Sequence, residues 1–162
     1  MANGTPNRTL TELLRGSIDL ANDTLRAALY NDTTAFTFDP DTHEFVSDVL
    51  DGGTTAEEFG GSGGTGYSRN DVTGATVTQD NTNDRGVYDS DDFTWTGLDG
   101  ETIQGVIIYK QVGGDDTTPA DDPIIQIYDD DMADVPDLPL PANGSDIKVL
   151  QDADGVLFQE AV

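Results

Sequence analysis

The chain contains no cysteine. Disulfide scaffolds and thiolate metal sites are excluded at once. Bases are nearly as scarce: five Arg and two Lys stand among 162 residues, scattered from Arg8 to Lys148 without forming a patch. Duplex nucleic acid, whose binding relies on Lys and Arg neutralising phosphates, is therefore not an expected partner. An anionic membrane surface is disfavoured for the same reason. Long hydrophobic runs are missing. The strongest, Val106-Ile107-Ile108-Tyr109, falls far short of the roughly 20 residues a spanning helix needs. The start of the chain, Met1-Ala2-Asn3-Gly4-Thr5-Pro6, has no hydrophobic signal region, so secretion by that route is not expected. His43 is the single histidine, and a Ser-His-Asp triad would have to use it. No G-x-S-x-G elbow accompanies it, and nearby Ser47 carries no nucleophile signal. No pair of carboxylates stands out for glycoside hydrolysis. The expectation is a protein that is not an enzyme, with no catalytic, cofactor-binding or metal-binding residue assigned.

What is present is acid. There are 26 Asp and 6 Glu, and the net charge is -25. Like charges at this density repel and oppose compaction. The Debye length is about 8 Å near physiological salt and about 3 Å at ~1 M. Such a surface folds most comfortably in concentrated salt, which points to a halophilic setting. Leu, Ile, Val and Phe together number 37 of 162 residues, just above the roughly 20 % below which such a charge argues for disorder. A lean core is possible, and the length suits one domain. Asp129-Asp130-Asp131, Asp89/Asp91/Asp92 and Asp115/Asp116/Asp121/Asp122 have the oxygen chemistry for hard cations. With 26 Asp such clusters arise anyway. Diffuse Na⁺ and K⁺ around a solvated surface is the expectation, and a specific Ca²⁺ or Mg²⁺ site is the weaker alternative. No cofactor is implied.

Along the chain, residues 1–15 read as an N-terminal arm with a short helix. Thr9-Leu10-Thr11-Glu12 fits a capping box, which predicts the helix over about 9–15, ending at Gly16. Residues 23–30 alternate with strand periodicity, and Phe36-Thr37-Phe38 stops at the Asp39-Pro40 turn. Residues 43–49 fit a strand or a helical turn equally. Residues 52–66 hold seven glycines and read as a flexible loop with Phe59 stranded in it. Strand-like pieces follow at 72–78, 86–88, 93–96, 102–112, 124–128, 146–150 and 156–159, with Asp154-Gly155 as a hairpin turn. Residues 113–123 and 129–145 read as acidic loops, the second extended by Pro136, Pro139 and Pro141. Many short strands with Gly and Asp turns predict an all-β fold, an antiparallel β-sandwich over 16–162 with one short N-terminal helix.

Two motifs have plainer explanations than the chemistry they evoke. Gly61-Ser62-Gly63-Gly64-Thr65-Gly66 matches G-x-G-x-x-G, but a dinucleotide site needs a strand before it and a helix after it. Tyr67 occupies the Lys position of a Walker A loop, so that reading fails as well. Asp152-Ala153-Asp154-Gly155 lacks the glycine at the sixth position and the twelfth-position Glu of an EF-hand. Trp95, Tyr88, Phe93 and Tyr109 fall on strand-like segments and are expected in the core or at an intersubunit contact. Five Asn-x-Ser/Thr sequons, at Asn3, Asn7, Asn22, Asn31 and Asn143, are what an Asn- and Thr-rich chain contains by chance.

Taken in order, a set of segments carries more. They are Gly16-Ser17-Ile18-Asp19, Asp23-Thr24-Leu25-Arg26-Ala27-Ala28-Leu29, Asp41-Thr42-His43-Glu44-Phe45-Val46-Ser47-Asp48, Gly64-Thr65-Gly66-Tyr67-Ser68-Arg69, Asn83-Asp84-Arg85, Asp91-Asp92-Phe93-Thr94-Trp95 and Gly105-Val106-Ile107-Ile108-Tyr109-Lys110. In succession and spacing, over about residues 16–160, the chain resembles small virion structural proteins of tailed phages and prophages: head decoration, minor capsid or tail-associated proteins. It departs from that pattern in the lengthened, Gly-rich 50–63 and the acidic, Pro-bearing 113–145. With the acidic surface, the resemblance is to a haloarchaeal tailed-virus type, and it implies no catalytic residues.

The resemblance implies a capsid decoration or cement protein on the outside of the head. Its partners would be the major capsid protein or other virion proteins. It would form a homo-oligomer, a trimer or a pentamer, by apolar burial and edge-strand pairing. It would be located in the virion and made in a high-salt host cytoplasm. Residues 1–15 would be the anchoring arm, and the acidic loops would face brine. A tail component (fibre base, tail tip or baseplate) and a host-surface adhesin are the alternative readings. A DNA-mimic inhibitor is a more distant one, because these Asp lie mostly in turns.

Overall fold

The structure is a computed structural model that describes residues 4–31, 36–51, 55–129 and 138–151, together with the strand backbone at 157–160. The elements run in chain order as α1 (Asn7–Arg15), β1 (Leu25–Asn31), α2 (Val46–Val49), β2 (Glu57–Glu58), β3 (Asn70–Val72), β4 (Thr76–Asp80), β5 (Arg85–Asp89), β6 (Phe93–Trp95), β7 (Asp99–Ile103), β8 (Gly105–Lys110), β9 (Ile124–Asp129), β10 (Leu140–Asn143), β11 (Ile147–Val149) and β12 (Leu157–Glu160). The fold is all-β and every paired strand is antiparallel.

The central sheet has the order β2-β1-β8-β9. β3 shares with β2 the edge of β1 that faces away from β8, pairing at Leu25–Ala27 while β2 pairs at Tyr30 and Asn31. Both faces of this sheet are buried. Leu25, Ala27 and Leu29 of β1, Val106 and Ile108 of β8, and Ile125 of β9 face one cluster. Ala28, Tyr30, Ile107, Tyr109, Ile124 and Ile127 face the other. This is why 106–109 is an unbroken apolar run: a strand covered on both sides has no polar face to alternate with. Ile124 and Ile127 lie three apart yet share a face, because the register of β9 shifts opposite Ile108 and Tyr109. A bulge there inserts one residue and resets the alternation.

Three small sheets lie over the first face: β12-β5-β4, β11-β6 and β10-β7. They contribute Tyr88, Phe93, Trp95, Ile103 and Ala142 to the core. The second face is closed by Phe36, by Val46 and Val49 of α2, and by Ala56. The sandwich layer expected opposite the main sheet is thus three separate pieces, and 43–49 resolves as a helical turn.

Several boundaries differ from the sequence expectation. The segment 72–78 is cut by a turn between β3 and β4, and 102–112 is cut at Gln104 into β7 and β8. Part of 129–145 is strand, since Leu140 and Pro141 of β10 pair with Ile103 and Thr102. Pro141 is tolerated because β10 lies at a sheet edge. Helix α1 starts two residues before Thr9, so the capping box does not form. Asp130, Asp131, Pro136 and the turn at Asp154-Gly155 lie outside the described residues.

The segment read as an anchoring arm lies against the chain's own main sheet over part of its length. Residues 4–9 run along the free side of β9. The Ile127 amide donates to the Gly4 carbonyl at 2.8 Å, the Thr5 hydroxyl donates to Gln126 Oε1 at 2.6 Å, and the buried Thr9 hydroxyl donates to the Ile124 carbonyl. A Cβ at Gly4 would stand 1.9 Å from the Ile127 carbonyl oxygen, so only glycine fits this approach. An open edge on the main sheet would leave a row of unpaired backbone groups, and this segment covers it.

Candidate functional site

Two networks of polar side chains lie beside β2 and β3, on the side of the main sheet opposite β9. The first is built on Arg69. Its guanidinium grips Glu58 of β2 through Nε to Oε1 at 2.7 Å and Nη2 to Oε2 at 2.8 Å. This bidentate fork is the stronger kind of ion pair. Nη1 donates to the Tyr109 hydroxyl at 3.1 Å, and the guanidinium lies 5.3 Å from that ring's centre. The Tyr109 hydroxyl donates in turn to Asp116 Oδ1 at 2.7 Å. Asp116 also accepts from Gln111 at 2.7 Å and from Arg26 Nη1 at 2.9 Å. Arg26 closes the ring by donating from Nη2 to the Arg69 carbonyl at 2.8 Å. Tyr67 donates to Glu58 Oε1 at 2.7 Å and accepts from the Leu29 amide at 3.2 Å.

The electrostatics fix these charges. Burial works against the Arg69 charge, but hydrogen bonds and attraction from Glu58 outweigh it, so the guanidinium is held charged more firmly than usual. Burial and then Glu58 push the Tyr67 hydroxyl far above the phenol range. Burial and Asp116 do the same to Tyr109. Burial would raise Asp116, yet its donors and the two arginines bring it below the ordinary carboxylate value. Near neutral pH, Arg69, Tyr67 and Tyr109 therefore keep their protons and Asp116 stays ionised. The arrangement is a strut joining β1, β2, β8 and loop 113–123.

The second gathering is the Gly-rich loop. Glu101 of β7 accepts from the amides of Gly60 at 3.0 Å, Ser62 at 2.8 Å and Gly64 at 2.7 Å, and from Asn31 Nδ2 at 2.7 Å. These backbone N–H groups, from alternate residues of the loop, converge on one anion, as in the nest-like concavities that turns offer to anions. Here the anion is the protein's own carboxylate. Burial opposes the Glu101 charge, but those donors outweigh it and its proton affinity is lowered. Phe59 is not stranded. It is 2 % exposed and packs in the core. The loop expected as a flexible spacer is, over its described part, wrapped around one side chain. Gly64 is required there, because a Cβ would stand 2.7 Å from Phe59 and 2.9 Å from the Glu101 carboxyl carbon.

His43 is half-buried and lies 5.0 Å from the Phe36 ring, with Nδ1 accepting from the Asp39 amide at 2.9 Å. Burial lowers its proton affinity, outweighing the nearby charges of Asp39 and Asp48. Trp95, Tyr88, Phe93 and Tyr109 are all in the core. Among the described residues no group of three or more acidic or histidine side chains is arranged to hold a metal ion. Asp115, Asp116, Asp121 and Asp122 do not all face solvent. Asp116 is in the strut. Asp122 is 0 % exposed, with Oδ1 accepting from the Val112 amide at 2.7 Å. Among the described residues, six of the seven bases are paired with the chain's own acids: Arg8, Arg26, Arg69, Arg85, Lys110 and Lys148. Among the described residues no helix is long and apolar enough to cross a membrane.

Glu101 and the Arg69–Glu58 pair escape a reading by motif. One signal was available: three of the six Glu, at 57, 58 and 101, lie around this loop in a chain that otherwise uses Asp. The extra methylene supplies the reach. No protein-family profile, no curated protein and no solved structure matches the chain.

Proposed function

We propose that this chain is a structural virion protein of a halophilic tailed virus, placed on the outside of the head as a decoration or cement protein. Its partners are the major capsid protein or other virion proteins, and copies assemble into a cyclic homo-oligomer, a trimer or a pentamer. It works in the virion and is made in a high-salt host cytoplasm.

The observation that carries this reading is where the ordered segments of the resemblance fall. They supply β1, β6 and β8, the 64–69 segment with Tyr67 and Arg69, and α2 with the turn before it. These are parts of the framework of the fold; of the two departures, 50–63 contains β2, and 113–145 contains β9 and β10. The fixed charges of the strut and the filled nest fit a part whose task is to hold shape. The acid coat fits brine.

Quantification of the chain in purified particles tests the proposal. Many copies per particle, in proportion to the major capsid protein, are expected. A few copies would move it to the tail. Absence from particles, with abundance in infected cells, would overturn it.

A further inference from the structure

The peripheral β12-β5-β4 sheet ends in β4. Among the described residues, β4 pairs with β5 alone, through Thr76↔Asp89 to Asp80↔Arg85. Four of its five residues are exposed, so neither face is covered. Val77 is 56 % exposed and is one of four large apolar side chains described as exposed. Folded proteins commonly blunt such an edge with Lys, Pro or a bulge. β4 has no Lys or Pro, and its register with β5 is unbroken.

We infer that two copies of this chain join edge to edge through β4, antiparallel, about a two-fold axis at Val77. Three observations select a second copy as the occupant. First, the strand reads the same in both directions where it matters: Thr76-Val77-Thr78 is symmetric about Val77. An isologous contact demands such self-complementarity. Val77 then faces the partner's Val77, Thr76 faces the partner's Thr78, and Ala75 faces the partner's Gln79. β-branched and Thr–Thr pairs are favourable across antiparallel strands. Second, residues 72–79 carry no charge, bounded by Asp71 and Asp80. For two bodies of charge -25, an uncharged strip lets backbones meet without desolvating or opposing carboxylates. Third, the charge at the strip's end is held locally. Asp80 is bound by Asn83 Nδ2 at 2.7 Å and by Arg85 Nε at 3.1 Å.

The contact forms one continuous sheet, β12-β5-β4 joined to its symmetry mate. It is a property of the free chain and does not depend on where the chain works, so it can fail without touching the virion reading, and the reverse. In a cyclic assembly it would link copies of neighbouring rings.

Analytical sedimentation of the full chain in molar KCl tests the inference. The wild type shows a monomer–dimer equilibrium that strengthens with salt as repulsion is screened. Val77→Asp places two carboxylates at the axis and halves the mass of the associated species, with an unchanged circular dichroism spectrum. Val77→Thr, uncharged and β-branched, stays dimeric. Because the chain has no cysteine of its own, Val77→Cys gives a second readout that needs no perturbing charge. Side chains directly opposite in such a ladder stand about 4.5–5.5 Å apart at Cβ. Mild oxidation then links Val77→Cys into a disulfide dimer many-fold faster than Leu150→Cys, an exposed control. Chains carrying Thr76→Cys mixed with chains carrying Thr78→Cys form the mixed dimer in preference to either homodimer. A wild type that stays monomeric, a Val77→Asp variant that still dimerises, or a Val77→Cys variant linking no faster than the control would each overturn the inference.

Discussion

The central sheet and the β12-β5-β4 sheet follow the same antiparallel rule, yet their surroundings are opposite. In the central sheet Ile107, Ile108 and Tyr109 are fully buried. One edge is filled by β2 and β3, and the other is covered by residues 4–9. In the peripheral sheet, among the described residues, β4 is open on both faces and along its edge. The first region supplies stability from apolar burial, which is largely indifferent to what lies outside. In the second, β4 itself contributes little apolar area and so can be altered without loss of fold. That difference lets a chain of lean hydrophobic content hold one region rigid and offer another for association.

The largest expected effect bears on the whole molecule. The circular dichroism strand signal should fall away as NaCl is lowered, well above physiological ionic strength, because the -25 charge is then poorly screened. Full structure at ~0.1 M salt would remove the halophilic premise. Within the fold, Ile107→Ala should lower stability by about 2–5 kcal/mol in urea titrations at high salt. Val77→Ala on β4 should stay within about 0.5 kcal/mol. Equal effects at the two sites would erase the contrast.

The loop at Glu101 lies between those extremes. Glu101→Gln halves the acceptor capacity facing three amides and should cost roughly 1–3 kcal/mol, with faster proteolysis near residues 60–64. Because its folded proton affinity is lowered, its contribution is present above the unfolded carboxylate range and is lost as pH falls through the folded value. The penalty of the substitution should therefore shrink in acid. Asp122 has the opposite sign. Burial, reinforced by Asp116 and Asp121 and opposed by the Val112 amide and Arg69, raises its folded proton affinity. Its favourable contribution is complete below the unfolded range and is lost as pH rises through the folded value. Asp122→Asn should then raise the melting temperature slightly at neutral pH, and the gain should vanish in acid.

Much of the framework is legible from residues because burial leaves a pattern. The run from Val106 to Tyr109 reads as a buried strand, and the 23–30 alternation places β1. The aromatic positions Tyr88, Phe93, Trp95 and Tyr109 are core, as strand placement requires. What stays hidden depends on distant partners. At the break the Gln104 amide donates to the Tyr30 carbonyl at 2.9 Å, and the Tyr30 ring lies against Gly105, where a Cβ would stand 2.1 Å away. Pro139 and Pro141 suggest an extended loop, and only the edge position of β10 lets a strand form there. The Gly-rich loop looks like a spacer until Glu101, 37 residues beyond Gly64, supplies its centre. Thr9 reads as a cap because its hydroxyl's real acceptor, the Ile124 carbonyl, lies 115 residues away.

Amide hydrogen exchange in molar salt, followed residue by residue as protein concentration rises, tests the contrast most directly. Amides of β1, β8 and β9 should be slow at every concentration. Those of β4 that point away from β5 should exchange fast in dilute solution and slow as copies associate. Protection of β4 in dilute solution, or none at high concentration, would contradict a closed core carrying an open, self-pairing edge.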